Sequence, residues 1–288
     1  MPELPEVETI RRGLVLQIKN KKIIDVWIEP SFKTKISPNA REFLAVLKDK
    51  KIIDIKRRAK LMIFQITKEL FVLIHLKMTG QLVYRKSGGR TTSGGHPIEN
   101  ISLPNKFTRV IFTFADKTHL FFNDIRKFGY LKLVDSAQLQ KELSKYGPEP
   151  LENNFNLDYF KKMLIAGKKR KIKTLLLDQG LIAGLGNIYS DEVCFGAGVK
   201  PMRKVSRLNL ADKDKIYWQI KSILKKALKH HGTSVNTYVV SDGKQGQFQN
   251  YLNVYGRAGE KCLKCHRGLI MRVKFNGRSS CYCPVCQK

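Results

Sequence analysis

Four cysteines near the carboxyl end constrain the fold of this chain more than any other feature of its sequence. Cys262 and Cys265 form one C-x-x-C pair, and Cys283 and Cys286 form a second pair after 17 intervening residues. Two such pairs supply four thiolates, which is the ligand set of a tetrahedral structural zinc ion. The alternatives are a disulfide pair or inert thiols. Because protein thiolates fill every ligand position, the spacing predicts one structural zinc ion per chain.

The residues between the two pairs predict that the zinc ion holds a hairpin. The stretch Phe275–Ser279 contains an Asn-Gly dipeptide, which is typical of a tight turn between two strands. Cys281 is out of register with Cys286, and we predict that Cys281 and Cys194 are spectators.

The opening residues predict a packed helix at the amino end. Pro5 suits the first position of a helix, and Glu6 and Glu8 complement the positive end of the helix dipole. An apolar stripe then recurs at spacings of three and four, at Val7, Ile10, Leu14 and Ile18. We therefore expect the amino terminus to be pinned to a core rather than frayed.

A pinned terminus makes Pro2 a candidate nucleophile. If Met1 is removed, the chain begins with a secondary amine beside the carboxylate of Glu3. An α-amino group titrates near ~7.7–8.0, so a useful fraction is unprotonated at neutral pH. The alternative is a frayed end with no role, as in most proteins.

The spacing of apolar residues changes along the chain and predicts an α+β protein. Short β-rich runs fill the first half and suggest an antiparallel sandwich, with a short helix at 39–48 and a surface loop at 87–95. These runs are 22–28, 52–56, 61–67, 70–78, 109–114, 119–122 and 130–134. The breaker-rich stretch 146–150 follows as a linker. Beyond it, helical spacing appears at 157–165, 172–178 and 210–229.

A glycine-rich stretch in the second half predicts an anion site. Gly180, Gly184 and Gly186 end one helix and lead through two tight turns into another that begins near Asn187. The free backbone N–H groups and the dipole of such a helix start suit a phosphate.

The charge of the chain indicates a polyanionic partner. It carries 54 basic and 24 acidic residues, a net charge of +30. Nucleic acid is the first candidate, and an anionic membrane surface is the second. The longest apolar runs, such as Leu70–Leu76, are too short to span a bilayer, and no signal segment opens the chain. We therefore expect a soluble, cytoplasmic protein.

The opening run from Pro2 to Thr9, Pro-Glu-Leu-Pro-Glu-Val-Glu-Thr, with Arg-Arg-Gly at 11–13, resembles bacterial formamidopyrimidine-DNA glycosylases. The resemblance extends along nearly the whole chain. It implies an enzyme that excises oxidised purines from duplex DNA and cleaves the strand, acting as a monomer. Leu4 and the four-cysteine finger argue against the related endonuclease VIII branch, which acts on oxidised pyrimidines. A non-catalytic zinc-finger DNA-binding protein is the more distant alternative.

The resemblance also assigns roles to individual residues. It implies that Pro2 attacks the sugar, that Glu3 moves protons, that Lys60 holds a phosphate beside the lesion, and that Glu6 supports the site. The DNA contacts that follow are His75, Met78, Arg109, Arg126, Phe128, Asn187, Tyr189 and Arg278. Met78 and Phe128 would be wedges in the base stack, and Arg126 would face the base left without its partner.

The same resemblance divides the chain into domains. These are a catalytic β-sandwich domain at 1–145, a linker at 146–152, a helix–two-turn–helix domain at 153–250 and a zinc finger at 251–288. A capping loop over the flipped base would occupy about 232–250, where low apolar content argues against a core element. The chain departs from the family pattern at Ile125, Lys127 and Asn236, and in the stretch 106–109, where relatives often carry histidines.

Overall fold

The chain divides into two units, each of which contains helices and strands. The computed structural model describes residues 1–86, 91–95, 103–233 and 246–288. The first unit comprises 1–144 together with the described residues of 231–247, and the second comprises 145–230 and 248–288. The predicted α+β class is confirmed. None of the helices in these ranges is long and apolar enough to cross a membrane.

The first unit is a β-sandwich with helices at its margins. Its helices are α1 (Leu4–Ile18), α2 (Ala40–Leu47) and α3 (Ser136–Leu143). Its strands are β1 (Ile23–Ile28), β2 (Ile36–Ser37), β3 (Asp54–Arg58), β4 (Leu61–Gln65), β5 (Leu70–His75), β6 (Gly80–Arg85), β7 (Thr91–Gly95), β8 (Thr108–Phe114), β9 (His119–Asp124) and β10 (Tyr130–Asp135).

The strands form two five-stranded sheets, in the orders β1-β8-β9-β6-β7 and β2-β10-β5-β4-β3. Neighbouring strands are antiparallel except for the short pairing of β2 with β10. One apolar core includes side chains of both sheets and the predicted stripe of α1. The chain passes between the sheets from β5 to β6 and returns from β9 to β10. Since Gly80 pairs with Asp124 and His75 with Tyr130, both connections lie at the same end of the sandwich.

The second unit is helical and ends in a two-stranded hairpin. Its elements are α4 (Leu157–Ala166), α5 (Ile172–Leu176), α6 (Asn187–Gly196), α7 (Leu210–Lys229), β11 (Met271–Phe275) and β12 (Arg278–Tyr282). Gly184 adopts a φ of +85° and Gly186 is the N-cap of α6, as the predicted turns require. Register pairs Phe275 with Arg278, so the predicted hairpin turn is confirmed.

The structure differs from the sequence expectations in four places. Strands β2 and β6 and helix α3 lie outside the predicted elements, and β7 occupies part of the stretch predicted to be a loop. Strand β6 lacks the alternation of buried and exposed residues that predicts a half-buried strand, because nearly all of its residues are buried. Its first residue, Gly80, packs so closely on Leu76 that an added Cβ would lie 2.4 Å from the Leu76 carbonyl oxygen.

Candidate active site and metal centre

The amino terminus is fastened to the first turn of α1 by two carboxylates. Glu3 is the N-cap residue, and its backbone N–H donates to Glu6 Oε2 at 2.8 Å within a capping box. Glu3 and Glu6 are both only 2% exposed. Pro2 is also buried, whereas Met1 is 49% exposed. The expectation of a pinned terminus is confirmed.

Charged side chains join the same helix to the strand that leads to Lys60. Arg57 of β3 donates to Glu8 Oε2 at 3.1 Å, and Arg11 donates to Glu8 Oε1 at 2.8 Å. Burial alone would raise the pKa of Glu8, but hydrogen bonds from Arg11 and Arg12 lower it to about 2. Lys60 lies in the turn after β3 and is 6% exposed.

Strand register places His75 beside Lys60. Leu61, the first residue of β4, pairs with His75, and His75 pairs with Tyr130. His75 Nδ1 accepts from the backbone N–H of Lys77 at 2.9 Å, so the neutral ring carries its proton on Nε2. Burial, reinforced by the charges of Lys77 and Lys60, lowers the pKa of His75 to about 3. His75 is therefore a neutral N–H donor, which suits a phosphate oxygen.

The two connections between the sheets bring the predicted wedge residues together. The β5–β6 connection carries Met78, and the β9–β10 connection carries Arg126 and Phe128. Arg126 donates to Met78 Sδ at 3.3 Å, and its guanidinium carbon lies 4.5 Å from the centre of the Phe128 ring. Met78 and Phe128 are 45% and 47% exposed. The three side chains form one exposed stack, which we call the wedge stack.

Asp124 shapes the connection that carries Arg126 and Phe128. Its carboxylate accepts from the backbone N–H groups of Arg126 and Gly129, at 3.2 and 2.7 Å, and from the Thr79 hydroxyl. Arg109 donates to the Asp124 carbonyl at 2.9 Å and is 6% exposed. In the structure Arg109 thus supports this connection, and its contact with DNA stays a prediction.

In the second unit, Asn187 lies against the carboxyl-terminal hairpin. It is the first residue of α6, and its Nδ2 donates to the carbonyl of Ser279 at 3.0 Å. Its Oδ1 is buried and accepts no hydrogen bond from the described residues. Arg278 immediately precedes Ser279 in the chain and is exposed. The start of α6 and the Asn187 amide therefore lie against the strand that begins with Arg278, an arrangement that suits a phosphate.

A buried ion pair holds the hairpin on the helices. Lys173 Nζ of α5 lies 2.7 Å from Asp191 Oδ1 of α6, with 1% and 0% of the two side chains exposed. The Lys173 ammonium also donates to the Ser279 carbonyl at 3.2 Å, and the Cys281 backbone N–H donates to Asp191 Oδ2 at 3.0 Å. The position of Arg278 therefore depends on this pair.

Two other α6 residues support the unit from inside. Tyr189, which we expected to lie near the DNA groove, is fully buried, and its ring centre is 5.7 Å from that of Phe248. A side chain without exposed surface packs inside the unit, and the place of Tyr189 beside the DNA groove stays a prediction. Glu192 accepts from three consecutive backbone N–H groups, at 253–255, each at 2.9 Å.

The four predicted metal ligands converge. The sulfur atoms of Cys262, Cys265, Cys283 and Cys286 all lie within 4.8 Å of one another. Two pairs, Cys262 with Cys286 and Cys265 with Cys283, are 3.8 Å apart. Bonds of ~2.3 Å from zinc to sulfur in a tetrahedron place sulfur atoms about 3.8 Å apart, so this cluster fits the ion. The thiols are free rather than paired in disulfides.

The electrostatics of the cluster also favour a bound cation. Backbone N–H groups of Gly268 and Arg267 lower the pKa of Cys265 to about 6, whereas burial and the neighbouring thiols raise the pKa of Cys286 to about 12. Four thiols this close together resist deprotonation, because four neighbouring thiolates repel one another unless a bound cation neutralises their charge. The other two cysteines lie outside the cluster: Cys194 is fully buried, and burial raises its pKa and that of Cys281.

Sequence reasoning missed several buried acids, namely Asp124, Asp191 and Glu192. In a chain of 24 acidic and 54 basic residues, the signal was an acidic pair inside the otherwise apolar stretch 188–195. The expected capping loop is described only at its ends, since 234–245, including Asn236, lie outside the described residues. At those ends, Thr233 and Phe248 are 3% and 2% exposed, and the capping loop itself stays a prediction.

Comparisons with known proteins agree with this arrangement. Residues 1–131 match the formamidopyrimidine-DNA glycosylase N-terminal domain, and 146–239 match the formamidopyrimidine-DNA glycosylase H2TH domain. Formamidopyrimidine-DNA glycosylase of Carboxydothermus hydrogenoformans is 38% identical, with all of both chains covered. The enzyme of Listeria monocytogenes is 39% identical over the same full coverage.

Solved structures give the same result. Lactococcus lactis Fpg in complex with DNA containing an abasic site aligns with a TM-score of 0.88 and 34% identity, covering 99% of each chain. A point mutant of that protein in complex with DNA containing Fapy-dG aligns with a TM-score of 0.88 and 35% identity, covering all of both chains. On its sequence, its fold and its full-length relatives, the chain belongs to the formamidopyrimidine-DNA glycosylase family.

Proposed function

We propose that this protein excises oxidised purines, such as 8-oxoguanine and formamidopyrimidines, from duplex DNA and then cleaves the strand. The observation that carries the proposal is the buried amino terminus, where Pro2 and Glu3 are held at the start of a packed helix. The names of the full-length relatives support this substrate class. The lesion-containing DNA in the L. lactis complexes supports duplex DNA as the partner.

The first chemical step needs the free Pro2 amine. After Met1 is removed, the nitrogen lone pair attacks C1′ of a nucleotide flipped out of the duplex. The bond from C1′ to the base breaks, and the departing base takes its electron pair and a proton. Opening of the sugar ring leaves an iminium that links Pro2 to C1′. Glu3 is the proton carrier beside this centre, a role that typically contributes ~10²–10⁴ in rate.

The iminium then promotes strand cleavage. Loss of a C2′ proton expels the 3′ phosphate by β-elimination, and a second proton loss expels the 5′ phosphate by δ-elimination. Water hydrolyses the remaining imine and returns the Pro2 amine. Glu3 accepts and returns the protons of these steps.

The remaining site residues bind and deform the DNA. Lys60 and the neutral His75 would hold phosphates at one end of the sandwich, and Asn187 and Arg278 would do so in the second unit. The wedge stack would fill the gap that the flipped base leaves, offsetting the few kcal/mol that extrusion costs.

A zinc ion would be held by Cys262, Cys265, Cys283 and Cys286. Its contribution when bound is structural, because no ligand position is left open for catalysis. The thiolates would keep β11 and β12 in the arrangement that presents Arg278.

Borohydride trapping tests the nucleophile. An 8-oxoguanine duplex incubated with the protein and borohydride should give a covalent adduct that mass spectrometry locates at Pro2. Glu3→Gln should bind the duplex with nearly the wild-type Kd and stall base release, since the amide cannot exchange protons.

A variant that retains Met1 is the matched control, because its Pro2 nitrogen is a non-nucleophilic amide. It should bind the same duplex and form no adduct. Cross-linking by this variant would move the nucleophile to a lysine, with Lys60 the first to test. A preference for oxidised pyrimidines over oxidised purines would favour the endonuclease VIII alternative.

A further inference from the structure

We propose that Thr233 is a positioning residue for the amino-terminal nucleophile and acts through the carboxylate of Glu6. The inference rests on the proposed function. Thr233 is 227 residues from Glu6 in the chain, and both belong to the first unit. No catalytic role is implied for Thr233 itself, since its contact is with Glu6 rather than with the reacting atoms.

The Glu6 carboxylate is a bridge between two segments of backbone. Its Oε1 accepts from the backbone N–H of Thr233 at 2.8 Å and from the Thr233 hydroxyl at 3.1 Å. Its Oε2 accepts from the backbone N–H of Glu3 at 2.8 Å. Glu3, Glu6 and Thr233 are 2%, 2% and 3% exposed, so water does not compete for these bonds. Hydrogen bonds to a charged group of this kind are among the stronger ones in proteins.

The bond to Glu3 determines where the Pro2 amine lies. A peptide group is planar, so fixing the Glu3 N–H also fixes the carbonyl and Cα of Pro2. The proline ring restricts φ, which leaves rotation about ψ of Pro2 as the main freedom of its nitrogen. A displacement of 1 Å at a reacting atom can cost about a hundredfold in rate. A residue that holds Glu6 therefore governs the geometry of attack.

Gly232 and Gly246 show that the Thr233 segment is built closely onto the carboxylate. Gly232 has a φ of +79°, and an added Cβ would lie 2.7 Å from Glu6 Oε1. A Cβ on Gly246 would lie 2.5 Å from the Gly232 carbonyl oxygen, and Thr233 pairs with Gln247 in a β-bridge. The segment 246–247 therefore packs against 232–233 and holds Thr233 in contact with Glu6.

The chemistry of the bridge requires a carboxylate. The groups that face the two oxygens of Glu6 in these contacts are N–H and O–H donors. In Glu6→Gln, either orientation of the amide would turn an NH₂ group toward a backbone N–H. Thr233→Val removes the hydroxyl that donates to Glu6 Oε1 and keeps the shape of the side chain. Its effect is therefore the loss of one hydrogen bond to the carboxylate.

Single-turnover trapping on a duplex with an abasic site tests the proposal. With enzyme in excess, Thr233→Val should form the borohydride-trapped adduct about tenfold more slowly than wild type, the size expected for one hydrogen bond to a charged group. Thr233→Ser should restore most of the rate. The Kd of Thr233→Val for a duplex with a non-reactive abasic analogue, and the Tm of this variant, should match those of the control variant Thr9→Val.

Thr9→Val is the matched control. Thr9 is 7% exposed, and its hydroxyl donates at 2.8 Å to the Pro5 carbonyl within α1 rather than to the Glu6 carboxylate. This variant should lose comparable stability and keep its trapping rate. Gly232→Ala is a second variant, and it should slow trapping by more than Thr233→Val because its Cβ displaces the carboxylate.

A double-mutant cycle with Glu6→Gln completes the test. If Thr233 acts through Glu6, adding Thr233→Val to Glu6→Gln should slow trapping by less than twofold. Equal trapping rates for wild type and Thr233→Val, or full additivity in the cycle, would overturn the proposal. Wild-type protein that forms no adduct at all would instead overturn the proposed function.

Discussion

At the residue scale, the site holds His75 in one protonation state before DNA binds. The Nδ1 atom is occupied by the Lys77 N–H, and burial together with Lys77 and Lys60 lowers the pKa of the imidazole to about 3. An unfolded histidine titrates near ~6.5. Between these two pH values the unfolded chain binds a proton at His75 that the folded protein does not bind. The contribution of His75 to the free energy of unfolding is therefore fully present above about pH 6.5 and is lost as the pH falls toward 3.

Nitrogen-15 NMR of the DNA-free protein can test this state. The His75 ring should remain neutral, with its proton on Nε2, between pH 8 and pH 5. The same histidine in urea-unfolded protein is the internal control and should titrate near ~6.5. An inflection near that value in the folded protein would contradict the assignment.

Phe128 provides a second residue-scale prediction. Phe128→Ala shortens the wedge stack, so base excision from an 8-oxoguanine duplex should slow by roughly 5- to 150-fold, equivalent to 1–3 kcal/mol of stacking. Cleavage of a duplex with an abasic site should change much less, because no base must be extruded. The ratio of the two single-turnover rates is the measurement.

Trp27→Ala is the control for Phe128, since Trp27 is similarly exposed at 44% and lies on β1. It should leave both rates unchanged. Equal losses on the two substrates in Phe128→Ala would make Phe128 a packing residue rather than a wedge.

At the element scale, the carboxyl-terminal hairpin depends on its four cysteines. Two strands alone are marginally stable in water, and β11 has mostly exposed or half-buried residues. Cys265→Ser should therefore lower the zinc content from one ion per chain and weaken DNA binding, while the β-sandwich keeps its far-UV circular dichroism. Metal analysis and DNA titration are the measurements.

Cys194→Ala is the control for the metal site, because Cys194 is a fully buried residue of α6 outside the cysteine cluster. It should retain the ion and the DNA affinity. Wild-type protein purified without chelators that contains no zinc would refute the assignment of the metal.

The elements that could be predicted are those whose signals are local. Helix α7 has the bounds expected from its apolar spacing, and Asn209 and Asp212 form a capping box at its start. The cysteine pairs and the turn before Arg278 are likewise short-range patterns. By contrast, the contacts of Lys173 with Asp191 and of Glu6 with Thr233 form only when distant segments of the chain pack together. No local spacing in the sequence predicts these contacts.

At the scale of the whole molecule, the net charge of +30 predicts strongly salt-dependent binding to DNA. If about six phosphates are neutralised, log affinity should fall with log salt at a slope near −5, about a thousandfold between 50 and 200 mM. Arg278→Ala should make the slope shallower by about one, because one phosphate contact is lost. Lys50→Ala removes an equal charge from an exposed turn after α2 and should leave the slope unchanged. Fluorescence anisotropy across a salt series measures both, and a slope near zero in wild type would show that the excess charge serves another partner.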